Sequence, residues 1–393
     1  MITPWQPREI IINEKVIDDP ITQDIISQCP GIPVKYVVNS KSETVSAASA
    51  VLRNAPHELL PLIKAGKSVV YIAPAGTGLL DPFKMADTRM MCPEFDRVKF
   101  ASNGCFYNCD WCFLKATYRA NQNYITIHVQ YDRIKADIEK HLKKAGTPVL
   151  FDSGELADSL SMEHLTKCGQ EFIPWFGNQE HGYLYMLTKS TNVDSLLELD
   201  HKQHTIIAWS LNNDLVSREF ELDAPGFIDR LNAAKKVQAA GYPIRIRLDP
   251  IVPISDWKIH YAETIKQIFE EVNPEWITIG TLRLEAALYN MRDRILTSQR
   301  LKEIVATMKP MLAKEKLASG KYSVGKYSFS ETQRIDMFQF AIDEIRKYAP
   351  HVAIALCKET ESVWNELKLD LKHCKCVCQY DFADLTDRVG AEM

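Results

Sequence analysis

The sequence of 393 residues predicts an α/β protein in which residues 93–300 form a partial barrel of parallel strands. Residues 1–92 are expected to form an N-terminal α/β subdomain, and residues 301–393 a C-terminal region that ends in a cysteine-rich extension. Two observations lead to this prediction. Short apolar segments alternate with amphipathic helices through the middle of the chain, and seven of the ten cysteines fall in two tight groups.

The strands of the barrel are the short apolar segments 98–102, 149–151, 184–187, 205–209, 244–248 and 276–279. The helix after the first strand has Ile134, Ile138 and Leu142 on one face and ends near Gly146. Two later helices have the same periodicity, and their inward positions are Phe227, Leu231 and Ala234, then Ile265, Phe269 and Val272. In barrels of parallel strands the reactive site lies at the C-terminal strand ends.

The flanking regions have patterns of their own. Strands are expected at 9–12 and 67–72, before a segment rich in Gly and Pro at 74–82. Near the other end a helix around Phe338 and Ile342 leads into a strand at 352–356 and then into the second cysteine group.

Composition limits the possible classes of protein. With 46% hydrophobic and 25% charged residues, the chain is expected to be globular. A net charge of -4 excludes a globally basic surface for nucleic acid, so any such site must be local. No apolar run is long enough for a membrane span, and we expect a protein of the reducing cytoplasm.

The first cysteine group, Cys105, Cys109 and Cys112, has the spacing C-x3-C-x2-C directly after a predicted strand. Iron–sulfur clusters normally take four thiolates, so three leave one iron open to an outside ligand. An open iron can bind S-adenosylmethionine (SAM) and support radical chemistry. A zinc site, or three unrelated thiols, are the alternatives, but zinc more often uses paired C-x2-C units or histidine.

Polar residues follow several of the predicted strands. Lys189 could neutralise the SAM carboxylate, Glu155 could receive its ammonium group, and Ser210 or Asn212 could bond its carboxylate or ribose. Ser153, two residues before Glu155, is a further candidate for cofactor binding. For any one of these residues, a structural cap or a solvated loop position is the alternative.

With these residues in place, the chain resembles the spore photoproduct lyase family of radical SAM enzymes, which reverse a thymine dimer lesion in DNA. The resemblance lies in the cluster loop with the aromatic Phe113 after it, in Lys189 and Ser210 as SAM-binding positions, and in the stretches 67–71, 230–242 and 320–327. It implies a partial (β/α)6 barrel of the radical SAM type, one [4Fe-4S] cluster, SAM, and a reductant such as flavodoxin or ferredoxin.

The chain departs from the family at positions that matter for the reaction. The family's hydrogen-donating cysteine lies a few residues before 164–166, where this chain has Glu155-Leu-Ala-Asp158. The family's two relay tyrosines flank the third cluster cysteine, and here Trp111 and Phe113 occupy those places. Because neither replacement has a phenol O–H, repair by the family's route of hydrogen return is not expected.

The second cysteine group consists of Cys357, Cys374, Cys376 and Cys378. Four thiolates could close around an auxiliary [4Fe-4S] cluster that exchanges an electron with a substrate radical. Structural zinc and unliganded thiols are the alternatives, although a C-x-C-x-C run suits one tetrahedral zinc poorly.

Substrate contacts are expected from two places. Lys321, Tyr322, Lys326 and Tyr327 combine positive charge with aromatic rings, as phosphate contact and base stacking require, and the resemblance implies DNA contact here. A solvated loop is the alternative. Arg245 and Arg247 alternate on one strand and should share a face directed into the barrel, with Asp249 near its mouth. They could bind a substrate phosphate or carboxylate, and pairing with a buried acid is the alternative.

These observations favour an enzyme that abstracts a hydrogen atom from a pyrimidine or modified thymine in nucleic acid and then modifies or rearranges the base. The alternatives are a radical SAM enzyme acting on a free small molecule or peptide, a true lesion lyase, and a cluster-bearing nucleic-acid-binding protein without turnover.

Overall fold

A computed structural model describes residues 4–56, 58–85, 87–119, 123–313, 315 and 325–369. Its strands, in chain order, are β1 Glu9–Asn13, β2 Val34–Val37, β3 Val69–Ala73, β4 Leu80–Phe83, β5 Met90–Met91, β6 Phe95–Val98, β7 Ala101–Ser102, β8 Asn108–Cys109, β9 Ile125–His128, β10 Val149–Asp152, β11 Gly182–Thr188, β12 Thr205–Ser210, β13 Glu221–Leu222, β14 Ile244–Ile251, β15 Trp276–Thr281, β16 Arg283–Glu285, β17 Lys309–Pro310, β18 Lys326–Ser328, β19 Ala353–Leu356 and β20 Glu359–Thr360.

The α-helices are α1 Pro20–Gln28, α2 Ser42–Ala48, α3 Ala50–Arg53, α4 Leu59–Gly66, α5 Tyr131–Ala145, α6 Glu163–Thr166, α7 Cys168–Gly177, α8 Asp214–Phe220, α9 Phe227–Ala239, α10 Trp257–Glu271, α11 Ala286–Tyr289, α12 Arg292–Ile295, α13 Gln299–Ala306, α14 Glu331–Tyr348 and α15 Glu361–Glu366. Short 3-10 helices occupy Glu14–Val16, Phe113–Arg119 and Asp194–Leu196. No helix in the described ranges is both long and apolar enough to cross a membrane.

The main sheet has eight strands in the order β19-β15-β14-β12-β11-β10-β6-β4. All neighbours pair in parallel except β4 and β6, which are antiparallel at one edge. The sheet is open because its two edge strands are not paired with each other. The predicted α/β class with a partial barrel is therefore confirmed.

The three predicted helices of the barrel are confirmed as α5, α9 and α10. Gly146 ends α5 in the left-handed conformation, with φ of +62°, which a residue without a Cβ adopts at little cost. The last five predicted strands correspond to β10, β11, β12, β14 and β15.

The first predicted strand, 98–102, is wrong. The main sheet contains β6, which ends at Val98, whereas β7 begins at Ala101 and pairs with β9 in another sheet. Residues 98–102 span the place where the chain leaves the main sheet and enters the other one. A local hydrophobic pattern does not show that the chain changes sheets. The strand expected at 352–356 is β19, which adds a seventh parallel strand to the main sheet.

The N-terminal sheet has the order β2-β1-β3-β9-β7. It includes the expected strands at 9–12 and 67–72 as β1 and β3, but β9 and β7 come from beyond residue 92. Conversely, β4 precedes residue 92 and belongs to the main sheet. Strands of the two sheets therefore alternate along the chain on either side of the cluster loop. The domain boundaries at 92 and 300 stay predictions.

Successive side chains of a strand point to opposite faces of the main sheet, and the two faces have different surroundings. Ile246 and Leu248 of β14 belong to the large core under the helices. Arg245, Arg247 and Asp249 alternate with them and share the opposite face, where Leu150, Tyr185 and Ala208 form a smaller apolar cluster. This second face leads to the C-terminal strand ends, where the polar side chains collect.

Candidate active site

The cluster loop, residues 103–112, leaves the N-terminal sheet through a tight turn. Asn103 and Gly104 both have positive φ, and the Gly104 N–H donates to the Leu156 carbonyl at 2.8 Å. At its other end the loop forms β8, in which Cys109 pairs with Glu221 of β13. The loop is therefore held by backbone bonds from both sides of the barrel mouth.

The three cysteines of the loop line one cavity of about 240 Å³. Burial raises the pKa of Cys105 to about 12 and that of Cys109 to about 11, against the opposing effect of Lys67 and Lys189. Thiols in such surroundings ionise on binding a metal rather than in its absence.

The donor set at the cavity consists of three thiols. In the described ranges, no three His, Cys, Asp or Glu side chains lie close enough to hold a single metal ion. Three thiolates are the ligand set that would hold three irons of a [4Fe-4S] cluster and leave the fourth open.

Asp110, between the second and third cysteines, anchors the loop from behind. Its carboxylate has no solvent exposure and accepts bonds from the Thr297 N–H and hydroxyl and from the Ser298 N–H, at 2.7 to 3.1 Å. The buried ammonium of Lys115 lies 3.3 Å from it. The loop is thereby tied to the chain just before α13, nearly 190 residues away.

Lys189 and Ser210, two predicted SAM-binding residues, are brought together at the wall of the same cavity. Lys189 Nζ donates to Ser210 Oγ at 3.0 Å and lies 3.6 Å from Glu221 Oε1. Although burial opposes it, the Glu221 carboxylate raises the pKa of Lys189, so the ammonium is charged. Arg230 holds Glu221 from the other side at 2.6 Å.

The peptide that carries Lys189 is fixed by Asp158. The Asp158 carboxylate accepts from the Lys189 N–H and the Thr188 hydroxyl, both at 2.6 Å. It also accepts from the Ser161 N–H at 2.8 Å. Asp158 therefore connects the segment after β10 with the end of β11.

Two other predicted cofactor residues are not brought to the cavity. Asn212 is fully buried, donates to the Pro250 carbonyl at 2.7 Å and accepts from the Tyr261 hydroxyl at 2.6 Å. Ser153 bonds Ser159 Oγ at 2.9 Å and the Tyr185 carbonyl at 3.1 Å. Both side chains use their polar atoms to join neighbouring strand ends, and neither lines the cavity.

Glu155 lines the cavity. Its side chain is buried and lies between the cations of Arg247 and Lys358. Arg247 Nη1 lies 3.8 Å from its Oε1, and Lys358 Nζ lies 3.8 Å from its Oε2. These charges lower the pKa of Glu155 despite burial. Burial and the Glu155 charge raise the pKa of nearby Asp152 to about 7.

The candidate substrate residues separate into two groups. Arg245 is away from the cavity, where it donates to Glu275 at 2.6 Å and lies over the Trp276 ring. Arg247 reaches the cavity and lies 3.2 Å from Asp249. Lys326 also lines the cavity, paired with Glu285.

The remaining substrate candidates lie on the antiparallel strands beside the cavity or beyond them. Tyr327 stacks on Tyr289 with 3.8 Å between ring centroids. Lys321 and Tyr322 lie outside the described residues.

Cys357 follows β19, and its sulfur accepts from Arg247 at 2.8 Å and from Arg283 at 2.9 Å. Cys374, Cys376 and Cys378 lie outside the described residues, so the four-cysteine site stays a prediction.

A second cavity of about 280 Å³ adjoins the first. The two share Phe113, Glu155, Glu285, Lys326 and Lys358, so these residues form the boundary between a chamber at the cysteines and a chamber farther out. The outer chamber has apolar walls that include Phe83, Met85, Met90, Leu156, Met311 and Leu312.

Sequence reasoning missed Lys358, Asp110 and Asp158. Lys358 lies two residues after the seventh parallel strand, so recognising 352–356 as part of the barrel would have placed it at the C-terminal edge. No local signal distinguishes Asp110 or Asp158 from solvated acidic residues, since their partners come from distant segments.

An open parallel barrel with three loop cysteines and a buried lysine at one cavity defines the radical SAM class of enzymes. Comparisons with known proteins identify the family within that class. A sequence model described as spore photoproduct lyase matches residues 92–357, and the chain belongs to the spore photoproduct lyase family.

Curated relatives agree with this family. The chain is 25% identical over 284 residues to spore photoproduct lyase from a Geobacillus species, covering 72% of this chain and 78% of the relative. It is 26% identical over 270 residues to spore photoproduct lyase from Bacillus subtilis, covering 68% and 74%.

Solved structures show the same fold. A cysteine-to-serine variant of spore photoproduct lyase superposes with a TM-score of 0.76 at 21% identity, over 90% of this chain and all of that one. A variant with bound AdoMet and the dinucleoside spore photoproduct gives a TM-score of 0.70 at 20% identity, over 90% and 99%.

Proposed function

We propose that this protein is a radical SAM enzyme that modifies or rearranges a thymine-derived base in nucleic acid. The observation that carries the proposal is the meeting, at one cavity, of Cys105, Cys109 and Cys112 with Lys189, next to an outer chamber lined by lysines. The relatives complexed with AdoMet and a dinucleoside lesion support both ligand classes.

The chain's own residues have distinct tasks in this proposal. The three cysteines would hold a [4Fe-4S] cluster, which when bound supplies the electron that splits SAM into methionine and a 5′-deoxyadenosyl radical. Lys189 would bind the SAM carboxylate, with Ser210 beside it. Trp111 and Phe113 line the cavity and would restrict water near the radical.

Base modification is favoured over lesion repair by the side chains around the cavity. Within the described part of the chain, the only cysteines lining either cavity are the three of the cluster loop. Glu155, a carboxylate, stands in the stretch where the family has its hydrogen-donating thiol. A carboxylate moves protons but is a poor source of hydrogen atoms, so the substrate radical would follow another course.

A spore-photoproduct-type lesion lyase is the second candidate, because the family and its lesion complexes favour it. The two candidates differ in product. Anaerobically reconstituted protein, SAM and a strong reductant should yield 5′-deoxyadenosine with undamaged thymine-containing DNA, and mass spectrometry should find a changed base. Restoration of two thymines from the dimer, without reaction on undamaged DNA, would favour the lyase.

The partners follow from the same proposal. The enzyme would work in the reducing cytoplasm with flavodoxin or ferredoxin as electron donor. An auxiliary [4Fe-4S] cluster at Cys357, Cys374, Cys376 and Cys378 would accept an electron from the substrate radical; iron and sulfide in excess of one cluster would support it. DNA affinity that falls steeply with salt would support a nucleic-acid substrate, and a flat dependence would favour a free small molecule.

A further inference from the structure

Lys67 is a buried cation behind the cluster loop, and neither the SAM site nor the packing of the sheets accounts for it. It directly follows α4 and is 3% exposed. Its ammonium donates to the carbonyl of Tyr107, which lies between Cys105 and Cys109 in the loop. Tyr107 borders both the cavity of the cysteines and a groove that Lys67 lines. The N-terminal region thus supplies a positive charge to the loop.

Close packing at the end of α4 holds Lys67 at the loop. The preceding residue is Gly66, where an added Cβ would come within 2.8 Å of the Tyr118 ring and closer still to the Asn123 carbonyl. Tyr118 in turn donates to the Asn103 carbonyl at 3.1 Å, at the turn that begins the loop. Because residue 66 has no side chain, the helix end can approach this turn, and the Lys67 ammonium reaches the loop carbonyl.

The other buried cations near the cysteines have carboxylate partners. These pairs are Lys115 with Asp110 at 3.3 Å, Arg230 with Glu221 at 2.6 Å and Lys189 with Glu221 at 3.6 Å. In the part of the chain that the structure describes, no carboxylate lies within 4.0 Å of the Lys67 ammonium. A buried charge without a partner is costly. An anion bound at the loop would supply the missing partner.

The charge of Lys67 acts on two of the three cluster cysteines. Burial raises the pKa of Cys105 and Cys109, and Lys67 opposes this rise at both. At Cys105 it acts against the carboxylate of Asp158, and at Cys109 it is joined by Lys189. A charge that stabilises both thiolates also stabilises an anionic cluster bound to them, because the interaction depends on the distance between the charges.

We propose that Lys67 compensates the negative charge of the cluster and thereby raises its reduction potential. Reduction transfers one electron from an external reductant and adds a negative charge at the loop, so a fixed cation beside it favours the reduced form. Lys67 contacts neither SAM nor the reacting atoms in this role and acts by its charge alone. The inference rests on the proposed function and names a residue outside the barrel that regulates the same site.

The test measures the midpoint potential of the cluster in the anaerobically reconstituted protein, by redox titration followed by electron paramagnetic resonance. Lys67→Met removes the charge and should lower the potential by at least about 59 mV, a tenfold change in the equilibrium constant of a one-electron couple. K67R keeps the charge and should change that constant less than about threefold. K64M is the matched control, because Lys64 lies on α4 and lines the same groove but is exposed.

A glutamine variant separates the charge from the hydrogen bond. K67Q retains a donor for the Tyr107 carbonyl without the charge, so its potential should fall as in K67M. If K67Q has a full cluster at the wild-type potential, Lys67 only supports the loop and the inference is wrong. If K67M and K67Q take up no iron whereas K67R does, the cluster requires the charge, which supports the inference. Loss of the cluster from K67R as well overturns it.

Failure of the inference can be separated from failure of the proposed function. If the wild-type protein cleaves SAM under strong reductant and the neutral variants keep its potential, the function stands and the role of Lys67 falls. If the wild-type protein holds no iron–sulfur cluster, both are wrong.

Discussion

The anchor of the cluster loop at Asp110 makes a prediction that does not depend on the substrate. Asp110→Asn keeps the size of the side chain but removes its charge. The ammonium of Lys115, 1% exposed and 3.3 Å away, then loses its only ion pair in the described part of the chain. The Thr297 and Ser298 donors also lose a charged acceptor.

The size of the expected loss of stability follows from the burial of both charges. Breaking a buried ion pair by removing one partner typically costs about 3–5 kcal/mol, because the remaining charge is left uncompensated. Burial lowers the pKa of Lys115 because it disfavours the charged ammonium, and the Asp110 carboxylate opposes this effect. Loss of the carboxylate therefore leaves the ammonium destabilised. The double variant D110N/K115M removes both charges and should be more stable than D110N alone.

The assay measures two quantities. The first is the urea concentration at which the iron-free protein unfolds, and the second is the iron content of the protein after anaerobic reconstitution. D110N should unfold at lower urea and retain less iron than wild type, because the loop that carries Cys109 and Cys112 is less constrained. Asp214→Asn is the control: its pair with Arg218 is exposed, and such pairs are worth about 1 kcal/mol or less. If D110N resembles D214N, or if K115M destabilises D110N further, the reasoning is refuted.

Three further predictions concern the cluster, SAM and pH. Cys112→Ser should lose the [4Fe-4S] signal in electron paramagnetic resonance, and a full cluster in that variant would contradict the ligand assignment. Lys189→Met should weaken SAM binding at least about tenfold without changing iron content, since it removes a charged donor; unchanged affinity would refute the role. Burial raises the pKa of Glu163 from 4.5 to about 7, so its favourable contribution to folding is present below pH 4.5 and is lost as pH rises through 7. Glu163→Gln should flatten the pH dependence of stability over that range by up to about 3 kcal/mol, as measured by urea unfolding, and an unchanged dependence would count against it.

Much of the fold could be predicted because its helices and strands have strong local patterns. The apolar faces of α5, α9 and α10 repeat at helical spacing, and β10 to β15 contain most of the predicted parallel strands. The error at 98–102 arose because β6 and β7 belong to different sheets. Strand partners are chosen by contacts distant in sequence, and hydrophobic periodicity carries no information about them.

The site was predicted unevenly for the same reason. The cysteine spacing is a local signal, Lys189 directly follows β11, and Ser210 is the last residue of β12. Ser153 directly follows β10 and Asn212 lies two residues after β12, yet their side chains bond neighbouring strands instead of facing the cavity. A strand end fixes where a residue lies, but its neighbours decide which polar atoms remain for a ligand.

The sequence by itself determined the reactive groups of this protein. They are three thiols at C-x3-C-x2-C spacing after a strand, with a lysine and a serine at later strand ends. Only the tertiary structure decided what surrounds that chemistry. It brought Asp110 to Thr297, and Glu155 to Arg247 and Lys358, across separations of about 90 to 200 residues. Charges at such separations become a buried site only when the barrel strands align their ends, because Coulomb interactions inside the protein depend on distance and burial and not on sequence order.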